Sequence, residues 1–444
     1  MNVALAKSET VKAGKALAIG ETFAEARARL PGSGDVAGRR QRAYETFERQ
    51  GLPHRRLEDW KYTDLRVLLR DVAPLSLSPD DAALARAKTA LASLGIADTH
   101  RLVIVDGIHV SALSDPETPA GVSVKSLRDI LNDASVEARA DLLLSRVDDP
   151  MIALNAAFTT DGFVVDVAAA AAPDKPIHIV HIATRSGTSA FTRSLVKVNA
   201  KAKVTILESF LGADGASGYQ VHDTAVLWVG DDADVQHVRI LDDAADAANI
   251  ASAIVTLGAR CVFNTFSMTI GSGVSRYQSF ITLAGENSSL ATNSIHLLRR
   301  QQHGDCSFVI DHAVPNCISR ETFRAVLDDR ARSVFQGKIV VRQQAQKTDG
   351  KMMSRALLLS DDAEMDNKPE LEIFADDVQC GHGATIGALD NSLLFYLRAR
   401  GLNEKQAQAL LIQAFVGEAI ESIANEALRD LVVATAERWL EARA

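Results

Sequence analysis

The middle of the chain is a long series of short β-strand patterns, and this series constrains the fold more than any other feature. From about Gly162 to about Ile386, short alternating or continuous runs of Val, Ile, Phe and Thr are separated by Gly, Asp and Asn. Apolar runs of this length between turn-forming residues are typical of β-strands. The segment therefore predicts an all-β core that takes up about half of the 444-residue chain.

Short similar segments recur ahead of these strand patterns. They are 201–204 (KAKV), 232–235 (DADV), 258–262 (GARCV) and 330–334 (RARSV). The first three lie roughly 25 to 31 residues apart, a spacing that is typical of stacked repeats. A β-solenoid therefore competes with a large sandwich or jelly roll, and the pattern favours the solenoid slightly.

The two ends of the chain differ from this core. The first 150 residues predict a mixed but mainly helical region, with a strand-like stretch at Leu102 to Val105 and helix-like sequence at Val124 to Leu144. Apolar residues at helical spacing predict a helical tail after the core. We therefore expect three regions: a mainly helical domain at 1–150, the β core at 151–388 and a helical domain at 389–444.

The helical tail carries its own start and break signals. Asn403 with Gln406 three residues later predicts a helix start with a capping box. Gly417 and Asn425 weaken one uninterrupted helix, so two or more helices are equally compatible with the pattern.

Composition excludes several classes of function. The net charge of -9 gives no support to a nucleic-acid partner. The longest apolar run, Val165 to Ala172, is shorter than the roughly 20 residues that a membrane span needs. Four cysteines without a CxxC pair favour a reducing compartment, and Met1 to Gly20 has no continuous apolar stretch typical of a signal peptide. These features predict a cytoplasmic protein.

The first candidate site is a group of possible soft metal ligands within about two dozen residues. Its members are His296, His303, Cys306, His312 and Cys317. Their spacing, H-x6-H-x2-C-x5-H-x4-C, matches no standard zinc pattern, and residues this far apart in a β segment can lie on different coils. A stand-alone zinc-binding protein that uses this group is therefore an alternative, and a weak one.

The second candidate site is the pair Cys380 and His382. Residues two apart in an extended strand project from the same face, so both soft donors would converge. Gly381 and Gly383 would let another backbone, ligand or subunit come close. Pattern alone favours the simpler interpretation, in which Cys380 is a core residue and His382 a hydrogen-bonded one.

An acidic run lies just before Cys380. Its members are Asp361, Asp362, Glu364, Asp366, Glu370, Glu372, Asp376 and Asp377. Paired carboxylates can cleave sugars, so a carbohydrate-active β-helix enzyme is a second alternative. Such runs are more often solvated faces, and aromatic residues, at 5%, are scarce for a sugar-stacking surface. The chain also has no phosphate-binding loop and no nucleophile elbow, so we expect no enzyme activity.

A set of ordered motifs resembles the SufB/SufD family. They are 56–65 (RLEDWKYTDL), 316–320 (NCISR), 334–339 (VFQGKI), 345–349 (AQKTD), 357–360 (LLLS), 368–373 (KPELEI), 375–387 (ADDVQCGHGATIG) and 394–401 (LFYLRARG). Chain length, the N-terminal helical region and the form of the last motif resemble the SufD branch more than the SufB branch.

The resemblance implies a fold and a role. It implies a mainly β fold, a right-handed parallel β-helix (β-solenoid) flanked by N-terminal and C-terminal helical domains. It further implies a non-enzymatic scaffold subunit of the SufBCD complex for iron-sulfur cluster assembly, which pairs with SufB across the β-helix and docks the SufC ATPase on the C-terminal helical domain. The isolated chain is expected to form a homodimer.

The resemblance also reverses the interpretation of the second candidate site. His382 matches the family histidine at the SufB interface, and the resemblance implies that this residue helps to hold a nascent cluster with a cysteine of SufB. Cys380 would be a second ligand, a sulfur relay or only packing. The expected cargo is a transient cluster or iron, with nothing tightly bound in the isolated chain. SufB carries a cysteine that accepts sulfur, and we do not expect Cys261 to have this role. No sequence feature identifies a flavin site.

Overall fold

The structure is a computed structural model that describes residues 23–96 and 98–442. The segment Met1 to Gly20, for which the sequence predicts no signal peptide, lies outside these residues. Within the described residues, none of the helices is both long and apolar enough to cross a membrane.

The strands of the described chain form two sheets. Sheet A contains β3 (Val122–Ser126), β4 (Phe163–Val167), β6 (Ser189–Val198), β8 (Gln220–Val229), β10 (Ala248–Leu257), β12 (Val274–Leu283), β14 (His303–His312), β16 (Arg332–Val341) and β18 (Glu364–Ile373). Sheet B contains β1 (His100–Val105), β2 (Ile108–His109), β5 (Ile177–Ala183), β7 (Lys203–Gly212), β9 (Asp234–Asp242), β11 (Val262–Thr269), β13 (Ser289–Leu298), β15 (Ile318–Leu327), β17 (Asp349–Leu358) and β19 (Gln379–Gly387).

From β4 to β19 the chain alternates between the two sheets, so that each turn adds one strand to each sheet. Neighbouring strands from β4 onward are parallel and in register; Ala251, Tyr277 and Cys306, for example, occupy one column across three turns. Sixteen strands in this order make eight turns of a parallel β-solenoid. The predicted all-β core and the solenoid are therefore confirmed, and the sandwich and jelly roll are not formed.

The recurring sequence segments are the corners of the solenoid. Lys201, Asp232 and Arg260 adopt left-handed backbone angles with φ near +60°, which few non-glycine residues do. The backbone N–H of Lys201 donates to the carbonyl of Asp231 one turn further on, and Asp232 donates to Ala259 in the same way, each at 2.8 Å. These bonds between turns satisfy the corner backbone and offset the cost of the conformation. The geometry of the corners therefore explains why these similar segments recur along the sequence.

The N-terminal region combines helices with strands of both sheets. Its helices are α1 (Asp35–Gln50), α2 (Leu65–Leu68), α3 (Asp81–Ser93), α4 (Leu127–Asn132) and α5 (Pro150–Phe158). Short 3-10 helices span Glu58–Trp60, Ser111–Leu113 and Arg139–Leu143. The strand-like stretch ending at Val105 is confirmed as β1. The helical expectation for Val124 to Leu144 is wrong at its start, because β3 pairs with β4 there.

The family-like segment around Trp60 fastens the N-terminal region to the outer face of sheet A. Trp60 is buried, and the guanidinium carbon of Arg276 lies 3.9 Å from its ring centroid. The indole N–H donates to the Asp149 carboxylate at 3.1 Å, and Arg276 pairs with the buried Asp305. The Thr63 hydroxyl also donates to Asp305. This motif therefore has a structural role in the described chain.

The C-terminal helices fold back along the solenoid. They are α6 (Asn391–Ala399), α7 (Glu404–Ile420) and α8 (Glu426–Glu441). The predicted capping box of Asn403 and Gln406 is confirmed, and the chain breaks before α8, which Asn425 caps. Apolar residues of α7 and α8 pack on outward residues of sheet B such as Phe266 and Val326. α6 has no buried residue.

Candidate functional site

Cys380 and His382 lie on β19, at the open end of the solenoid. β19 pairs with β17 and is the edge strand of sheet B in the described chain. Cys380 is in register with Gly350, and His382 is in register with Met352, both of which are buried. The pair therefore lies on the inner face of the last turn, where no further turn of the described chain covers it.

Cys380 is the more enclosed member of the pair. Its side chain packs against the main apolar cluster of the solenoid, and the residue is partly buried. Burial raises the pKa of the Cys380 thiol, although the backbone N–H of Gly350 lowers it in part. A thiol must lose its proton to bind metal, so the surroundings of Cys380 disfavour a ligand role in the isolated chain.

His382 is exposed, and the two glycines beside it on β19 face the opposite, outer side of the strand. No heavy atom outside the chain neighbours lies within 4 Å of a Cβ placed on the adjacent Gly381. At Gly383 a Cβ would lie 2.7 Å from the Cε of Met353, so this glycine makes room for a side chain of the preceding turn. At Gly383 the group that comes close is therefore Met353 of the same chain. At Gly381 the space is open.

The five residues of the first candidate site lie on several turns and do not converge. His296 bonds through Nδ1 to Ser333 Oγ at 2.8 Å, and His312 bonds through Nε2 to Ser319 Oγ at 3.0 Å. His303 lies on the opposite face of sheet A, with Nε2 at 3.0 Å from Thr63 Oγ1. Within 23–96 and 98–442, no three His, Cys, Asp or Glu side chains are placed to hold a metal ion together.

Burial controls the protonation of this first group. It lowers the pKa of His296 to about 3 and the pKa values of His303 and His312 to about 4. It raises the pKa of Cys306 to about 12 and also raises the pKa of Cys317. The imidazoles are therefore neutral and hydrogen-bonded, and the thiols are protonated. The arrangement resembles a polar core and differs from a set of open ligands.

Much of the acidic run forms ion pairs between neighbouring turns. Arg332 reaches Glu364 at 2.5 Å and Asp366 at 3.1 Å, and Lys338 reaches Glu372 at 2.6 Å. These pairs are partly exposed and lie on the outer face of sheet A. Carboxylates that are held by cations of the preceding turn form a solvated, charge-balanced surface, so the geometry does not favour the carbohydrate-cleaving alternative.

The inside of the solenoid holds a polar network that the sequence pattern did not identify. Glu208 Oε2 lies 3.0 Å from His237 Nε2, and both side chains are buried. The Arg239 guanidinium stacks on the rings of Phe210 and Tyr277, at 4.2 Å and 4.8 Å from their centroids. One sequence signal could have identified this network. His237 and Arg239 lie two positions apart on β9, and the apolar residue that follows each of them packs on the C-terminal helices.

Two carboxyl groups of this interior are strongly perturbed. Burial and the nearby charge of Glu208 raise the pKa of Asp223 to about 7. Burial raises the pKa of Glu321 well above its ordinary value of 4.5. Neither oxygen of Glu321 has a hydrogen-bond partner among the described residues. Glu321, Met352 and His382 occupy one inner column, so this buried acid lies two turns below the exposed histidine.

Comparisons with known proteins cover nearly the whole described chain. The model of the SUF system FeS cluster assembly SufBD core domain matches residues 181–415, and that of the SufBD protein N-terminal region matches residues 23–179. The chain is 33% identical to the iron-sulfur cluster assembly protein SufD of Escherichia coli, over 89% of this chain and 90% of that protein.

Two further relatives align with this chain over most of their own length. A SufBD family protein of Synechocystis is 31% identical over 87% of both chains. SufD of Bacillus subtilis is 25% identical over 72% of this chain and 77% of its own. Together with the solenoid and its two helical flanks, these matches show that the chain belongs to the SufBD family of the SUF iron-sulfur cluster assembly system, as a homologue of SufD.

Proposed function

We propose that the chain is a non-enzymatic scaffold subunit of a SufBCD complex that presents His382 to a nascent iron-sulfur cluster at the interface with SufB. The observation that supports this proposal is the position of His382, exposed on the inner face of the last strand at the open end of the solenoid. An edge strand with unpaired backbone groups is suited to pairing with another chain. A ligand on that edge would be enclosed only after the partner had docked.

The choice of an imidazole suits a site that must release its product. Thiolates are the usual ligands of iron-sulfur clusters, and replacing one with a neutral imidazole gives a less anionic coordination. Cys380 is the weaker candidate of the pair, because burial raises the pKa of its thiol. We therefore assign the ligand role to His382. Cys380 would act as a second ligand or a sulfur relay only in the complex with SufB. The cluster or iron is cargo in this proposal.

The open end also supports the proposed dimer of the isolated chain. β18 and β19 are both edge strands of the described sheets, and Ile373, Phe374 and Ile386 at this end expose 40%, 60% and 49% of their surface. Apolar residues beside unpaired strand edges favour association. A second copy would cover the same surface as SufB, so the two partners would compete for it.

The proposed docking site for the SufC ATPase is α6. Leu393, Phe395 and Tyr396 are exposed on this helix, with 75% of the surface of Phe395 accessible. Aromatic residues are common centres of protein interfaces. In this proposal, closure of two SufC subunits moves the C-terminal helices and exposes the cluster ligands at the solenoid end. A cytoplasmic location fits the four cysteines, none of which is in a disulfide.

The test of the ligand assignment is the cluster content of the complex with His382→Ala. The variant is co-purified with SufB and SufC, reconstituted without oxygen, and assayed for iron and acid-labile sulfide per complex. We expect the variant to assemble and to lose most of its cluster. Thr385→Ala is the matched control, because Thr385 is exposed on the same strand and alternates to its other face.

Two outcomes would contradict the assignment. Unchanged iron and sulfide in His382→Ala would exclude the residue as a ligand while leaving the scaffold role intact. Equal loss in His382→Ala and Thr385→Ala would indicate a damaged interface. Cys380→Ser in the same assay measures the second role, for which we expect a smaller loss than for His382→Ala.

A further inference from the structure

We propose that a cavity in the N-terminal region binds a small organic phosphate. The cavity has a volume of about 320 Å³. Arg39 and Arg42 of α1, the chain from Leu143 to Asp149, and Ile152 of α5 line it. None of the lining residues belongs to the last turn of the solenoid, and the proposal does not depend on the cluster function.

The charge of the lining has the opposite sign to that of the whole chain. Arg39, Arg42 and Arg146 all line the cavity, whereas the chain carries a net charge of -9. Arg39 pairs with Asp141 at 3.3 Å, but neither Arg42 nor Arg146 forms an ion pair with another described residue. Two carboxylates line the cavity as well: Asp148 accepts a hydrogen bond from Gln50 at 3.2 Å, and Asp149 accepts hydrogen bonds from the Trp60 indole and from the backbone N–H groups of Met151 and Ile152. Two guanidinium groups therefore remain available to an anion.

Two further arginines lie buried behind the cavity wall. Arg40 donates to the carbonyl of Ala157 at 3.0 Å, and Arg193 donates to the carbonyl of Leu144 at 2.7 Å. Ala156 and Leu144 line the cavity, whereas neither of these two arginines does. Neither arginine forms an ion pair within the described chain, and Arg40 Nη2 and Arg193 Nε have no hydrogen-bond partner there.

These buried charges act on the cavity through a weakly polar wall. Burial lowers the pKa of Arg40 to about 9 and that of Arg193 to about 10, so both remain charged at neutral pH. Charges behind low-dielectric walls project their field into an adjoining cleft more strongly than charges in water do. The cavity therefore offers an anion two exposed guanidinium groups and the field of two buried ones.

The shape and the remaining lining select the kind of anion. Planar guanidinium groups match the oxygens of phosphate and can bind it with paired hydrogen bonds. Leu143, Ile152 and Ala153 provide an apolar surface next to the arginines. The volume is at the small end of the range for ligand pockets. A phosphate ester with a compact apolar group satisfies both parts of the lining.

The test titrates phenyl phosphate, inorganic phosphate and phenol into the full-length chain by calorimetry. We expect phenyl phosphate to bind more tightly than either fragment. Arg42→Gln and Arg146→Gln should each weaken its binding about tenfold, as the loss of one charge-assisted interaction implies. Both side chains are exposed, so the substitutions should leave thermal unfolding unchanged. Arg27→Gln, at an exposed arginine outside the lining, is the matched control and should bind like the wild type.

Each of the other outcomes overturns the proposal. Phenol binding as tightly as phenyl phosphate would leave only an apolar cleft, and inorganic phosphate binding as tightly would leave an anion site without an organic part. No heat at millimolar phenyl phosphate, or an equal effect of Arg27→Gln, would remove the site altogether. Cluster content of the complex is a separate readout, so failure here is distinguishable from failure of the scaffold role.

Discussion

The middle turns of the solenoid and its last turn share one backbone plan but differ in what covers them. His296 and Cys306 belong to turns that have neighbours on both sides, and both are fully buried. Cys380 and His382 belong to the last turn and lie on the equivalent inner face, and no further turn follows among the residues that the structure describes. The same residue types are therefore core in one place and available in the other. Coverage by the next turn, more than ligand spacing, decides their chemistry.

The largest test of this comparison substitutes two arginines on the outer face of sheet A, one on a middle turn that the N-terminal region covers and one that pairs with the last strand of this sheet. Arg276→Ala removes the partner of Asp305, whose side chain is fully buried, and also removes the guanidinium stacked on Trp60. An unpaired buried carboxylate costs about 3 to 5 kcal/mol. We expect a loss of that size in the free energy of unfolding, measured by denaturant titration.

Arg332→Ala is the counterpart near the open end. Its guanidinium pairs with Glu364 and Asp366 but is 41% exposed, and exposed pairs contribute less than about 1 kcal/mol. Losses of equal size in the two variants would show that the last turn is as enclosed as the middle ones, and would contradict the comparison.

The second test uses the buried acid in the inner column below His382. The folded-state pKa of Glu321 is raised by burial, so the folded chain holds a proton that the unfolded chain releases above about pH 4.5. The contribution of Glu321 to stability must therefore fall as pH rises above that value, because the folded state binds more protons at this group. The buried histidines, whose pKa values burial lowers, contribute in the opposite direction up to about pH 6.5 and are the same in both chains that are compared. Glu321→Gln cannot ionise, and we expect it to flatten this slope and to add about 2 kcal/mol near pH 8.

The measurement is the free energy of unfolding at a series of pH values from 5 to 8, for the wild type and Glu321→Gln. Glu370→Gln is the control, because Glu370 is partly exposed on β18 and pairs with Lys368. A slope that is unchanged in Glu321→Gln would mean that another group, such as Asp223, carries the pH dependence.

Much of the fold could be predicted from the sequence, because the turns are regular. The sequence predicts strands from about Gly162 to about Ile386, and β4 to β19 span Phe163 to Gly387. The recurring segments mark corners because each corner needs a small buried residue, such as Ala202 or Ala233, after a left-handed one. The predicted helix is wrong at the start of the Val124 to Leu144 stretch, because pairing with β4 overrides the helical pattern there.

The candidate site was less predictable, because exposure depends on which turn is last. The spacing of Cys380 and His382 gives a shared face, but it does not say that this face is open. Alternation along the strand also fails to show that Glu208 and Arg239 face the interior. The outer face of their strands packs on α7 and α8, so residues on both faces are buried. The cavity with Arg42 and Arg146 joins segments about a hundred residues apart, and no local pattern records that contact.

The smallest test removes one sulfur atom from each region. Cys306 is fully buried between the sheets, so Cys306→Ala should cost about 1 kcal/mol of stability. Cys380 is only partly covered, and Cys380→Ala should change the free energy of unfolding by less than about 0.5 kcal/mol. Equal losses that grow with protein concentration would mean that a second copy covers the open end. Equal losses that are independent of concentration would mean that the end is closed within one chain, and His382 would then lie behind a cover that SufB must first displace.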